Sequence, residues 1–371
     1  MNANHTPYPN IDEYTSYIRR PEITFKDIDP ILAAGKPVKI PQRRGVNDLW
    51  IDSGNFACVF KYQTFNPERL WAVRCFRQST SSFASHYSKV SSYLKKVHCS
   101  SYFVEFEFLD RGIRVNGKYY PIVKMEWAEG KNLINFFRDN LNNKSNLDLL
   151  AQAWINLSND LLQAGIAHGD LQHGNILVDD RNGVNIKLID YDSLYFLQDE
   201  DSIDDEIKGI PHYQHPLRDT LKKQCIQIDF FPQLVIYLSI IALAEKPELW
   251  HNYNLDDKER LLFSKEDFEN PDRAEIFDTL SQLSPNVSRL AGELKKICKY
   301  TEFDKIPTLY NVLNPPTIYI PKPPIITHLP VIQPTQTATS PFWVKAIAVV
   351  STVVATAFGG FSYYQYQQLN Q

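Results

Sequence analysis

The sequence predicts an α+β fold. Three observations lead there: strand-like runs crowd one half of a body spanning residues 47–312, helical periodicity fills the other half, and a proline-rich stretch then separates that body from an apolar C-terminal run. A chain of 371 residues with 43% hydrophobic and 22% charged residues is ordinary globular material. Its formal net charge of -4 supplies no basic field, so nucleic acid is not an expected partner. Five scattered cysteines (Cys58, Cys75, Cys99, Cys225, Cys298), with no C-x-x-C pair, argue against a disulfide framework or a zinc site and for a reduced, cytosolic setting. The polar N-terminus lacks the apolar core of a signal peptide.

In chain order, residues 1–46 form an N-terminal extension with helix and turn signals, expected to pack along the β-rich lobe. VFKYQTF, LWAVRCF, YFVEFEFL, IRVNGKYY and PIVKMEW then read as short strands of an antiparallel sheet, separated by Asn-Pro, Arg-Gly and Asn-Gly turn signals. Phe83, His86, Tyr87, Val90, Leu94 and Val97 recur at helical spacing behind Ser81 and Ser82, so one helix interrupts the sheet. After Ser145, Leu150, Trp154, Leu157 and Leu161 share a helix face that ends at Gly165.

Beyond this body, eight of the 23 prolines fall between Pro315 and Pro341, which makes residues 313–341 a semi-rigid extended linker. Residues 342–364 read as a single transmembrane helix. The run from Phe342 to Phe361 carries one cation, Lys345, and no carboxylate, and aromatic residues flank it at Trp343 and at Tyr363, Tyr364 and Tyr366. Lys345 before the span places the large N-terminal part in the cytoplasm by the positive-inside rule, leaving 365–371 as a short tail. Small residues at Ser351, Ala355 and Gly359, and at Thr352, Thr356 and Gly360, line two adjacent stripes through which the span could form a homodimer.

The chemistry concentrates in HGDLQHGNILVDDRNGVNIKLIDYD. His168-x-Asp170 is followed by Asn175, an apolar strand, a turn at Asn182-Gly183, a second strand and Asp190. Two short strands and a hairpin bring Asp170, Asn175 and Asp190 to one loop-rich edge. A carboxylate to accept a hydroxyl proton, with an amide and a second carboxylate for Mg2+, is the set that phosphoryl transfer requires. Read without chemistry, the same residues are a turn cap and two surface turn positions.

These motifs resemble those of eukaryotic-like (Hanks-type) serine/threonine protein kinases, in a divergent form such as bacteria carry. IDSGNFACVF resembles the glycine-rich loop, placing Gly54, Asn55, Phe56, Ala57 and Val59 around ATP. WAVRCF resembles the third strand, with Ala72 in the adenine pocket and Arg74 at the phosphates. IVKMEWAEGKNL resembles the hinge, with Met125 as gatekeeper and Glu126 and Trp127 on the backbone that pairs with adenine, and Leu177 takes the pocket floor. GIPHYQHP resembles the end of the activation segment, and Asp229 with FFPQLVIYLSIIAL resembles the buried helix that anchors the second lobe. The resemblance covers about 260 residues in order. It implies a two-lobed protein-kinase-like fold, with ATP and Mg2+ as cofactors and a protein as substrate.

The sequence also departs from that pattern. The usual lysine is Arg74, the helix from Phe76 to His98 holds no acidic residue to pair with it, Gly169 replaces an arginine, Asp192 a glycine and Gln172 a lysine. A nucleotide-binding pseudokinase scaffold therefore stands beside the enzyme, as does a small-molecule phosphotransferase of the aminoglycoside or choline type, which the HGD spelling also resembles. The acidic run at residues 199–207 suits either a solvated loop or the attraction of a basic substrate. With Gly169 in place of the arginine, activation through phosphorylated Ser193 or Ser202 is not expected.

Overall fold

Alternation of buried and open positions builds the sheet. In the computed structural model, which describes residues 8–40, 48–54, 56–79, 83–197, 208–257 and 260–315, the four long strands are β3 (Ala57–Phe65), β4 (Glu68–Phe76), β5 (Phe106–Val115) and β6 (Lys118–Glu126). The short β1 (Lys36–Pro37) and β2 (Ile51–Ser53) both pair with β3. The sheet is antiparallel throughout, in the order β1-β3-β4-β6-β5. The expected runs 102–109, 113–120 and 121–127 resolve into two strands. Arg111-Gly112, which reads as a turn, is absorbed in a register shift between Leu109 and Ile113. A β-carbon on Gly112 would stand 2.3 Å from Ile122 Cγ1, so the irregularity requires glycine. The real hairpin is Asn116-Gly117, with φ of 50° and 78°.

The extension supplies three helices, α1 (Ile11–Ile18), α2 (Pro21–Thr24) and α3 (Pro30–Ala33), that cover one face of this sheet. Tyr14, Ile18, Phe25 and Leu32 bury against Phe60, Tyr62, Val73 and Ile122. Polar ties fix the cover: Tyr14 Oη donates to Phe76 O (2.6 Å), Tyr62 Oη to Leu32 O (2.7 Å), and Lys124 Nζ to Asp29 (2.5 Å). Asp29 also caps α3, accepting from the Ile31 and Leu32 amides.

The opposite face receives α4 (Phe83–Leu94), whose Tyr87 stacks on Phe108. Next come β7 (Lys131–Asn132), α5 (Leu133–Asn140), α6 (Lys144–Gln163), β8 (Ile166–Ala167), the hairpin β9 (Ile176–Asp179) and β10 (Asn185–Leu188), and β11 (Tyr195–Phe196). As expected, α6 buries Leu150, Trp154, Leu157 and Leu161, and Gly165 follows it at φ 65°. The centre of the helical part is α7 (Phe230–Glu245), buried on nearly every side, and five further short helices from α8 (Leu249–Asn252) to α12 (Leu309–Leu313) close around it. Among the described residues, 226–245 is the one helix long and apolar enough to cross a membrane, and 83% of it is buried within the protein, as a core helix is.

The chain divides into two units, Met1–Pro316 and Thr317–Gln371, and every described residue belongs to the first. Asn55, Ser81, Ser82, the acidic run with Ser202, the linker from residue 316, the expected transmembrane helix with its small-residue stripes and the tail lie outside the described residues.

Candidate active site

One buried carboxylate organises the loop that carries Asp170 and Asn175. Asp229, at the start of α7, accepts from the backbone N–H of His168 through Oδ2 (2.6 Å) and of Gly169 through Oδ1 (2.9 Å). Burial pushes its carboxyl up to about 6, against the pull of these two amides. His168 is buried as well; burial lowers its imidazole to about 4, and Nε2 lies 3.0 Å from Ile189 O. Gly169 adopts φ 82°, and a β-carbon there would come within 2.3 Å of Ser193 O. The glycine thus answers a backbone need, because no arginine fits at that position.

Arg218 enters this space from the segment before α7. It is buried, with Nη2 directed at Gly169 O (3.4 Å), and its charge favours the ionised forms of both Asp170 and Asp229. A cation therefore lies under this loop, supplied from residue 218 and not from 169.

Asp170 and Asn175 are tied to each other: Asn175 Nδ2 donates to Asp170 O (2.9 Å) and to Asp170 Oδ2 (3.0 Å). Ile189 N–H donates to Asn175 O (3.0 Å), which brings Asp190 alongside. Burial, followed by the neighbouring charge of Asp190, pushes the Asp170 carboxyl up to about 6. Such a group changes protonation state near neutrality, as proton transfer from a hydroxyl requires.

Arg74 has the acidic partners that the helix does not provide. Its Nη1 donates to Asp190 (2.8 Å) and to Asp192 Oδ1 (2.9 Å), and its Nη2 to Asp192 Oδ2 (2.6 Å). Tyr87 of α4 completes the cluster, accepting from Arg74 (3.0 Å) and donating to Asp192 Oδ1. Burial opposes the Arg74 charge, yet Asp190, Tyr87 and Asp192 hold the guanidinium charged far above neutrality. Burial raises the Asp192 carboxyl while Arg74 pulls it down.

For Mg2+, the residues fit. Asp190 keeps 41% of its side chain exposed, and Asn175 makes its side-chain hydrogen bonds through Nδ2, so both can offer hard oxygen donors. Of the residues expected around ATP, Gly54, Phe56 and Ala57 form the β2–β3 tip, where Gly54 N–H donates to Ala57 O (3.0 Å). Cross-strand register sets Val59 opposite Arg74 and Ala72 opposite Met125. Leu177 lies on β9, half-buried. Glu126 and Trp127 follow Met125, but their N–H groups already donate to Glu105 O (2.8 Å) and Leu70 O (2.9 Å), which leaves only carbonyls there for a purine.

No protein-family model matches the chain, and no curated protein matches it. Among solved structures it is similar to the Cydia pomonella granulovirus kinase PK-1. The identity is 15% and the TM-score 0.45, over 76% of this chain and 96% of that one.

Sequence reasoning missed three residues around these carboxylates. Tyr87 reads as one more apolar position on an amphipathic helix, Asp192 as a lost glycine, and Arg218 as an unremarked polar residue. The usable signal was Asp192 itself, since a second carboxylate two residues after Asp190 offers Arg74 a partner that the helix lacks.

Proposed function

We propose that the chain is an ATP-dependent protein kinase that transfers the γ-phosphate to Ser and Thr hydroxyls. In this reading the apolar span at 342–364 holds it to a membrane, with the catalytic part in the cytoplasm. The observation that carries the reading is the meeting of Asp170, raised to about 6, with Asn175, Asp190 and the Arg74 cation. ATP with Mg2+, when bound, supplies the phosphoryl group and the charge that neutralises it. Asp170 accepts the hydroxyl proton, Asn175 fixes the Asp170 rotamer and, with Asp190, offers oxygens to the metal, and Arg74 steadies phosphate oxygens. Labelled ATP, Mg2+ and myelin basic protein test this directly. Transfer by the wild type that Asp170→Asn abolishes supports the enzyme, and equal transfer by both sinks it. Deleting 342–364 should move the chain from the membrane fraction to the soluble one.

A second reading has its own support. Arg74 is held by the protein's own carboxylates, and Asp170 Oδ1 lies buried, an arrangement that suits a nucleotide-binding scaffold without turnover. Mg-ATP binding without any transfer would favour the scaffold.

A further inference from the structure

Gln214 follows the short turn Pro211–Tyr213 and is 6% exposed. Its Nε2 and Oε1 are both buried without a hydrogen-bond partner, and Asp170 Oδ1 is in the same condition. A β-carbon built on Gly209 would stand 2.6 Å from Asp170 Oδ1 and 2.9 Å from Gln214 Nε2, so the two groups flank one point. Gly209 holds φ 74°, and the Ile210 amide lies against Asp170, so this stretch covers both groups. Beside them is a cavity of about 40 Å³ lined by Lys208, Gly209, Gln214, Arg218, Asp219 and Glu269. At roughly 10–15 Å³ for each water it has room for a small polar group.

Leaving an amide buried and unpaired costs stability, and a site for an absent partner is one reason a protein carries that cost. We propose that Gln214 binds substrate: its carboxamide hydrogen-bonds the main-chain peptide group next to the hydroxyl that Asp170 receives. This rests on the phosphotransfer reading above. A peptide group offers one donor and one acceptor, which a carboxamide complements with its own pair. The cavity wall sets Lys208, Arg218 and Lys265 beside Asp219 and Glu269, so the choice of a peptide group rests on the carboxamide's own donor and acceptor. The substrate chain takes the place of the Gly209–Ile210 stretch, which pairs with neither amide atom of Gln214.

The test uses the full chain in detergent, with labelled ATP and Mg2+, and compares wild type with Gln214→Met and the isosteric Gln214→Glu. Myelin basic protein and kanamycin serve as alternative acceptors. For myelin basic protein we expect KM to rise about tenfold in both variants, the worth of one or two neutral hydrogen bonds, with KM for ATP unchanged. Gln214→Met should also melt about 2–4 °C higher, because it removes an unpaired buried amide. If Gln214→Met does not fold, Gln214→Glu carries the kinetic test. Unchanged KM for the protein acceptor, or a lower Tm with equal loss of ATP and protein binding, overturns the proposal. Transfer by the wild type to kanamycin alone overturns the peptide assignment, and a wild type that transfers to neither removes the kinase reading and this proposal with it.

Discussion

β4 and β6 each bury one cation, one register position apart and on opposite faces of the sheet: Val73 pairs with Lys124, and Arg74 with Val123. Lys124 faces the cover formed by α1–α3. It meets Asp29 at 2.5 Å and Glu107 at 3.4 Å, lies 5.1 Å from the centre of the Trp71 ring, and its principal partner is also a helix cap. Arg74 lies on the opposite face, and its partners Asp190 and Asp192 belong to the segment that follows β10. The Lys124 cluster closes on itself. The Arg74 cluster is continuous, through Asp190, with a neighbourhood in which Asp170 Oδ1 and both Gln214 amide atoms have no partner. Pairing is thus complete around Lys124 and incomplete, among the described residues, beside Arg74.

The largest contrast should come from Asp170. Asp170→Asn is expected to lower kcat about 10²–10⁴-fold with Mg-ATP affinity kept, while Asp190→Ala should weaken Mg-ATP binding too; isothermal titration beside a transfer assay separates the two. The same carboxyl gives opposite pH trends. Asp170 and Asp229 are raised to about 6 in the fold, so between about pH 4 and 6 the native chain binds more protons than the unfolded one. Their stabilising contribution is therefore complete below that window and lost as pH rises through about 6, where kcat should be rising as Asp170 ionises. A kcat that stays flat across that range would remove Asp170 as the base.

Lys124→Met should act on the other face, lowering stability by about 3–5 kcal/mol because the buried Asp29 loses its counter-ion and keeps only the two α3 amides. Remaining folded enzyme should keep its kcat, and a kcat loss beyond the folded fraction would break the division between faces. Arg74→Lys comes next. With one ammonium the fork on Asp192 cannot form, so KM for ATP should rise about tenfold. The sequence alone, with no acid in α4, points the other way, to ATP affinity kept or raised, and unchanged KM would restore that view. Tyr87→Phe should have the smallest effect, about 0.5–1.5 kcal/mol in thermal stability for one hydrogen bond, with a modest rise in KM for ATP.

The meeting of the candidate residues was legible where they are close in sequence. Asp170, Asn175 and Asp190 share one loop and one hairpin, so local turn rules bring them together without knowledge of the rest of the fold. Alternation gave β3 and β4 within a few residues, and a 3.6-residue period gave α6. What escaped depends on contacts far apart in the chain. Lys124 and Asp29 are 95 residues apart and Arg74 and Asp192 118; nothing local announces the first pair, and only the second carboxylate after Asp190 hints at the other. Gly169 reads as a missing arginine until Ser193 O is seen against it. Arg111-Gly112 misled because glycine serves a bulge as readily as a turn.

The clasp of Asp229 on the His168 and Gly169 amides spans 61 and 60 residues of chain. During synthesis the loop of His168 to Asn175 therefore leaves the ribosome well before the carboxylate that fixes its backbone. The intervening residues add the entropy of a long closure, which is recovered only when α7 has formed and docked. A nascent chain ending before residue 229 has every residue of the Asp170, Asn175 and Asp190 set but not its geometry. The Asp170–Asn175 loop thus reaches its final geometry only with completion of the helical core.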